Sequence, residues 1–224
     1  MRYIILSEKD WNADLHEKLN NTFGSDEFNL INNPNNLEAT IDNFKPDKIF
    51  IPHWSHFIKP EIYEKYECIV FHMTDLPYGR GGSPLQNLIV RGKTETKISA
   101  LRVVKELDAG AIYLKEDLEL YGTAQEIYFR ANSIIESMIE NIIENKLTPL
   151  PQEGKAVNFK RRSPEMSNII QTDTIDQIYN FIRMLDADGY PHAYIETEFL
   201  KLEFTGAKVE SNNTLLAYVR IIKK

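Results

Sequence analysis

Two side chains in this sequence stand where a chain can do chemistry. The apolar run Tyr66-Glu67-Cys68-Ile69-Val70-Phe71 ends in His72, and a segment rich in proline and glycine follows, from Met73 to Pro84. Such a run reads as a buried strand, which puts His72 at its carboxyl end. Further on, Leu107-Asp108-Ala109-Gly110 reads as a tight turn that carries a carboxylate. In an open α/β sheet ligands bind at the carboxyl ends of the strands, so His72 and Asp108 are expected at one crevice as an acid/base pair. Each also has a plainer reading. His72 could close its strand with an ordinary hydrogen bond, and Asp108 could serve only to form the turn before Gly110.

The elements that would position this pair follow from periodicity. Strands are predicted at 3–6, 28–31 and 48–51, with helices at 14–23, 37–44 and 59–66 between and after them. Pro84 opens a short helix, 84–90, with Ser83 as its N-cap. Strands at 97–102 and 112–120 precede a long helix, 123–145, whose apolar residues Ile127, Ala131, Ile134, Ile135, Met138, Ile142 and Ile143 repeat at core-facing spacing. A proline-containing linker, 148–157, leads to a helix at 173–185 begun by Asp173 or Thr174. Alternating segments at 192–195, 200–204 and 215–222 then read as a small antiparallel unit. Strands alternating with helices imply an α/β fold with a mostly parallel sheet. The expected division is a main domain over 1–158 and a small α+β extension over 159–224.

Composition narrows the function. A chain of 224 residues, 42% of them hydrophobic, can bury one good core and a minor appendage. A net charge of −7 argues against a polyanionic partner, although Lys155, Lys160, Arg161 and Arg162 could still meet the phosphates of a small ligand. The single Cys68 excludes an internal disulfide and reads as a small buried hydrophobe. No apolar stretch is long enough for a membrane span and no signal peptide is recognised, so the cytoplasm is the expected compartment. No histidine, cysteine or carboxylate cluster has metal-ligand spacing; His53 and His56 alone are too little.

His72 with Leu76-Pro77, Arg80-Gly81 and Pro84, then Gly92-Lys93-Thr94-Glu95-Thr96, Ser99 and Leu107-Asp108-Ala109-Gly110, resembles the folate-dependent formyltransferases. That family takes in methionyl-tRNA formyltransferases, glycinamide ribonucleotide transformylases and sugar-nucleotide N-formyltransferases. The likeness covers residues 48–165, and the stretch from Ile182 to Ala193 is similar to the start of the family's C-terminal region. It implies a Rossmann-like catalytic domain and 10-formyltetrahydrofolate as formyl donor. It also implies that His72 donates to the oxyanion of a tetrahedral intermediate while Asp108 helps remove the proton of the attacking amine. The loop 103–108, with Val103, Val104, Leu107 and Asp108, would read the pterin edge, and Leu76, Pro77, Arg80 and Gly81 would line the folate. Trp54 would pack on the pterin or else on the core. His53 and Ser55 would face the acceptor, and Arg161 and Arg162 would hold an acidic substrate.

One departure stands out: the family's Asn two residues before the His is here Val70, which cannot donate a hydrogen bond. Asn87 is the expected substitute donor, with Gln86 second. For the acceptor, the acidic balance and the short C-terminal region favour a nucleotide-linked amino sugar, as in enzymes of the pseudaminic-acid type. Nucleic acid is not expected, nor is a membrane, and a homodimer is expected by analogy. Two other readings remain: a methionyl-tRNA formyltransferase-like enzyme, and a non-catalytic folate-binding relative that lost its donor at Val70.

Overall fold

The computed structural model describes all 224 residues. In chain order the elements are β1 (Arg2–Ser7), α1 (Leu15–Thr22), β2 (Glu27–Ile31), α2 (Leu37–Phe44), β3 (Lys48–His53), α3 (Pro60–Tyr63) and β4 (Glu67–His72). They continue as β5 (Tyr78–Gly81), α4 (Pro84–Val90), β6 (Glu95–Arg102), β7 (Ile112–Glu119), α5 (Ala124–Glu144), β8 (Val157–Phe159), α6 (Ile175–Arg183), β9 (Ala193–Glu196), β10 (Leu200–Ser211) and β11 (Thr214–Lys223). The fold is α/β and Rossmann-like. A six-stranded sheet of order β2-β1-β3-β4-β6-β7 is parallel from β2 to β4, and β6 pairs antiparallel to β4.

The sheet forms because its strands are apolar on both faces. Successive side chains alternate: Ile4, Leu6, Ile49, Ile51 and Cys68 join one cluster with Ile41 and Ile62 of the helices, while Tyr3, Phe50 and Phe71 meet on the other face, with ring centroids 5.7 and 6.4 Å apart. A buried polar chain pins the loop after β1. Ser7 Oγ donates to Asn12 Oδ1 at 2.8 Å, the Asn12 amide donates to Asn132 of α5, and Asn132 Nδ2 donates to the Trp11 carbonyl at 3.0 Å.

The chain divides into two compact units, neither continuous in sequence: Met1–Arg80, Lys97–Leu118 and Phe129–Asn158 form the first, and Gly81–Thr96, Glu119–Tyr128 and Phe159–Lys224 the second. One of the divisions falls between Asn158 and Phe159, and 81–96 and 119–128 go with the C-terminal region. Within the second unit β9, β10 and β11 form an antiparallel sheet of order β11-β10-β9. Thr174 caps α6 by accepting from the Gln177 amide at 3.2 Å, and Thr123 and Glu126 make a capping box before α5.

Two local expectations change. Ser83 does not cap α4 through its side chain; it sits at φ +52° and its hydroxyl accepts from the Arg162 amide at 3.1 Å. The glycine-rich segment and the linker are not irregular throughout, since β5 and β8 pair as a two-stranded sheet. The linker is also fastened to β7 by reciprocal backbone bonds between Leu150 and Ile112, 2.8 and 2.9 Å.

Candidate active site

His72 ends β4 as expected and is only 8% exposed. Its register partner on β6 is Ser99, whose hydroxyl donates to the Thr74 carbonyl at 2.7 Å and accepts from the Leu76 amide at 3.3 Å. Those bonds fix the turn that follows, which includes the cis peptide Leu76-Pro77. Asp108 arrives on the loop between β6 and β7, and its Oδ2 lies 3.6 Å from His72 Nδ1. The other ring nitrogen, Nε2, is 2.8 Å from the Gly79 carbonyl. The imidazole therefore faces an oxygen on each side, the Gly79 carbonyl within hydrogen-bond reach and the Asp108 carboxylate just beyond it. Asp108 holds φ +53°, unusual for a residue with a side chain, so the turn keeps it there by its surroundings. The pair can polarise a carbonyl and accept a proton in a dry site.

Val70 lies on the same face of β4 as His72 and packs against the core cluster, so no hydrogen-bond donor stands at that step of the strand. Asn87 does not supply one. Its amide donates to the carbonyls of Gly82, Ser83 and Lys160 at 3.0, 3.1 and 2.9 Å, and its oxygen accepts from Arg91 at 2.9 Å. A side chain so saturated has no proton left for a formyl oxygen. Gln86 is committed in the same way, to the Tyr128 hydroxyl and the Met184 carbonyl.

Several expected folate contacts have other work. Leu76 is a core residue, 1% exposed. Gly81 is required by β8: a Cβ there would stand 2.4 Å from the Phe159 carbonyl oxygen. Arg80 donates through two nitrogens to Gln152. The Val103 amide is taken by the Cys68 carbonyl at 2.8 Å, whereas Val104 and Leu107 are exposed. Pro77 accepts the Val157 amide and lies beside Gly154.

Of its two expected readings, Trp54 shows the core one. Its ring packs on the core cluster, and its indole N–H is buried with no acceptor, beside a cavity of about 490 Å³ that Trp54, His56, Phe57 and Lys59 help line. The one cation of that lining, Lys59, is paired with Glu38, which lines the same cavity. Ser55 and His56 both bind Glu8, through the Ser55 amide and the His56 ring, each at 3.0 Å. His53 meets Trp11 edge-on at 5.6 Å, and burial, with Lys9 nearby, pushes its pKa down to about 4.

In the second unit Arg91, Lys160, Arg161 and Arg162 gather without a carboxylate partner. Arg91 lies over the Phe159 ring at 4.5 Å and Arg162 over Phe181 at 5.4 Å. Burial, and then the neighbouring charge of Arg91, holds the Arg162 guanidinium below its ordinary pKa, and its Nε is buried without an acceptor. Sequence reasoning missed Gln152 altogether, and it missed the Gly79 carbonyl as the partner of His72 and Ser99 as the brace of the turn. Gln152 stands in an aperiodic stretch and carries no sequence signal.

Two family models match this chain: one for formyl transferases over residues 15–133, and one for the C-terminal domain of methionyl-tRNA formyltransferases over 164–222. The chain belongs to the formyl transferase family. A solved methionyl-tRNA formyltransferase from Clostridium thermocellum is 44% identical, with a TM-score of 0.96 and 100% of each chain covered. The methionyl-tRNA formyltransferase of Geobacillus sp. (strain WCH70) is 31% identical over 163 residues, 67% of this chain and 50% of that protein. The chain spans about half the length of the curated relatives it matches. A 4-N formyltransferase from Francisella tularensis is 16% identical with a TM-score of 0.66, a likeness of fold alone.

These relatives overturn the expected acceptor. The proteins that share substantial identity are methionyl-tRNA formyltransferases, and the sugar enzymes are remote, so neither the amino-sugar nucleotide nor the exclusion of nucleic acid stands. Net charge misled because it sums the whole chain and says nothing of a local cationic surface such as that around Arg91 and Arg162. Length misled as well, because a chain covered end to end by this one carries the methionyl-tRNA name.

Proposed function

We propose that this chain transfers the formyl group of 10-formyltetrahydrofolate to the α-amine of methionyl-tRNA. The observation that carries the reading is the His72–Asp108 pair at the carboxyl end of β4, 3.6 Å apart and buried, in a chain 44% identical throughout to a methionyl-tRNA formyltransferase. The free amine attacks the formyl carbon, forming the C–N bond and moving the carbonyl electrons onto oxygen. His72 donates to that oxyanion once it exchanges the Gly79 carbonyl for it, and Asp108, directly or through water, takes the proton that the amine loses. Collapse breaks the bond to N10 of the folate, which leaves with a proton. Bound folate supplies the activated formyl group, and Trp54 with its buried N–H suits the flat end of such a molecule. The cations at Arg91, Lys160, Arg161 and Arg162 suit the phosphates of the acceptor.

Formylation of charged initiator tRNA, followed with labelled 10-formyltetrahydrofolate, tests the reading. Turnover with methionyl-tRNA supports it, and Arg161→Ala with Arg162→Ala should then raise the KM for tRNA and flatten its salt dependence. Folate binding without turnover on methionyl-tRNA would favour the second reading, a non-catalytic relative, for which Val70 is the specific observation.

A further inference from the structure

The linker between α5 and β8 brings one side chain into the framework of the site. Gln152 Oε1 accepts from Arg80 Nε at 3.1 Å and from Arg80 Nη2 at 2.7 Å. Gln152 Nε2 donates to the carbonyls of Asp108 and Gly110, each at 2.8 Å. Both protons of the amide are used, and both guanidinium bonds fall on its oxygen. The group can sit only one way round, because turning it over would set its NH₂ against a guanidinium and its oxygen against two carbonyls.

What Gln152 grips is the turn that needs gripping. Asp108 holds φ +53°, and Gly110 is pressed so close to β6 that a Cβ would stand 1.7 Å from the Arg102 carbonyl oxygen. Arg80, at the other end of the clamp, follows directly on Gly79, the residue whose carbonyl meets His72 Nε2. The contacts therefore close a ring: His72 to Gly79, through the chain to Arg80, to Gln152, to the backbone of Asp108, and from its carboxylate back to His72.

We propose that Gln152 is a positioning residue of the transfer site. It holds the Asp108 turn so that the carboxylate faces His72, and Arg80 fixes the orientation in which it does so. The inference rests on the proposed formyl transfer for its kinetic consequence, but the clamp itself can be read without turnover. A misplacement of about 1 Å at a reacting group costs ~10²-fold, so Gln152→Leu should lower kcat by that order while both KM values stay within about twofold. Gln152→Glu is the sharper variant. It keeps the size and the Arg80 contact but turns an acceptor toward two carbonyls, and it should be no better than Gln152→Leu.

Arg80→Met should lose less, on the order of tenfold, and the double variant Arg80→Met/Gln152→Leu should match Gln152→Leu alone, because the two act through one contact. Amide hydrogen exchange across residues 108–111 should quicken in both Gln152 variants, with thermal midpoints showing that each still folds. Losses that add, a KM-only effect for Arg80→Met, or exchange unchanged by Gln152→Leu would each overturn the proposal. Failure of the wild-type chain to formylate methionyl-tRNA would instead overturn the acceptor assignment, with the exchange measurement still deciding the clamp.

Discussion

The six-stranded sheet and the three-stranded sheet use similar residues to different ends. In the first, β1 presents Tyr3, Ile4, Ile5 and Leu6 as core, and Ile69 on β4 is wholly buried. In the second, β11 has comparable apolarity, yet Leu216, Tyr218, Val219 and Ile221 are exposed, and Ala193 is the fully buried residue of β9. Both are rich in β-branched and aromatic residues. Only the first is covered on both faces, by helices fed from its own crossovers, and that is why it can hold a histidine and a carboxylate in place. Apolar content alone does not make a rigid scaffold; coverage does.

The largest test of that contrast lies at the site the first sheet supports. In the proposed transfer, His72→Ala and Asp108→Asn should each cut kcat at least ~10²-fold, and together little further, because both are assigned to one intermediate. Near-normal turnover in either single variant would remove the pair from the mechanism. Next in size is the core: Ile69→Ala should cost ~2–5 kcal/mol in denaturant unfolding, and Ile221→Ala under ~0.5 kcal/mol. Equal costs would mean that the β11 face is as well covered as β4.

A smaller effect separates structural from chemical amides. Asn87→Ala strands the Gly82 and Lys160 carbonyls, the Ser83 carbonyl keeping the residue's backbone amide, and should lower stability by ~1–3 kcal/mol while leaving kcat within a few-fold. A selective collapse of kcat with unchanged stability would restore Asn87 as a donor. The smallest is a slope. The pKa of His53, about 4 in the fold against an ordinary 6.5, means that the unfolded chain binds the extra proton between those values. Stability should therefore fall as pH drops from 6.5 toward 4, and His53→Phe should flatten that part of the urea-midpoint profile relative to wild type.

Much of this was legible in the sequence, and what was not has physical reasons. The helix Leu37–Phe44 and the strands ending at His53 and His72 follow from periodicity and from the turn residues that stop them. His72 and Asp108 were readable because a strand end and a turn are local patterns. β5 was not, since Gly79 and Gly81 at φ +85° and +107° look like loop, and their partner strand lies far along the chain at Val157–Phe159. Asn87 misled for the same reason: the Lys160 carbonyl that takes one of its bonds is remote in sequence. Gln152 left no trace at all, because a side chain reaching two backbones from an irregular segment has no period.

Cys68 has an experimental use. It is the sole cysteine, and burial pushes its thiol up to about 12. Alkylating reagents attack the thiolate, so at pH 8 the folded protein offers them almost nothing, while an unfolded chain, with its thiol near ~8.5, reacts freely. Cys68 sits four residues before His72 on β4. Slow labelling under native conditions would thus time the opening of the strand that delivers the histidine, with no probe added, and any thiol introduced elsewhere on the surface would be the one site a maleimide finds first.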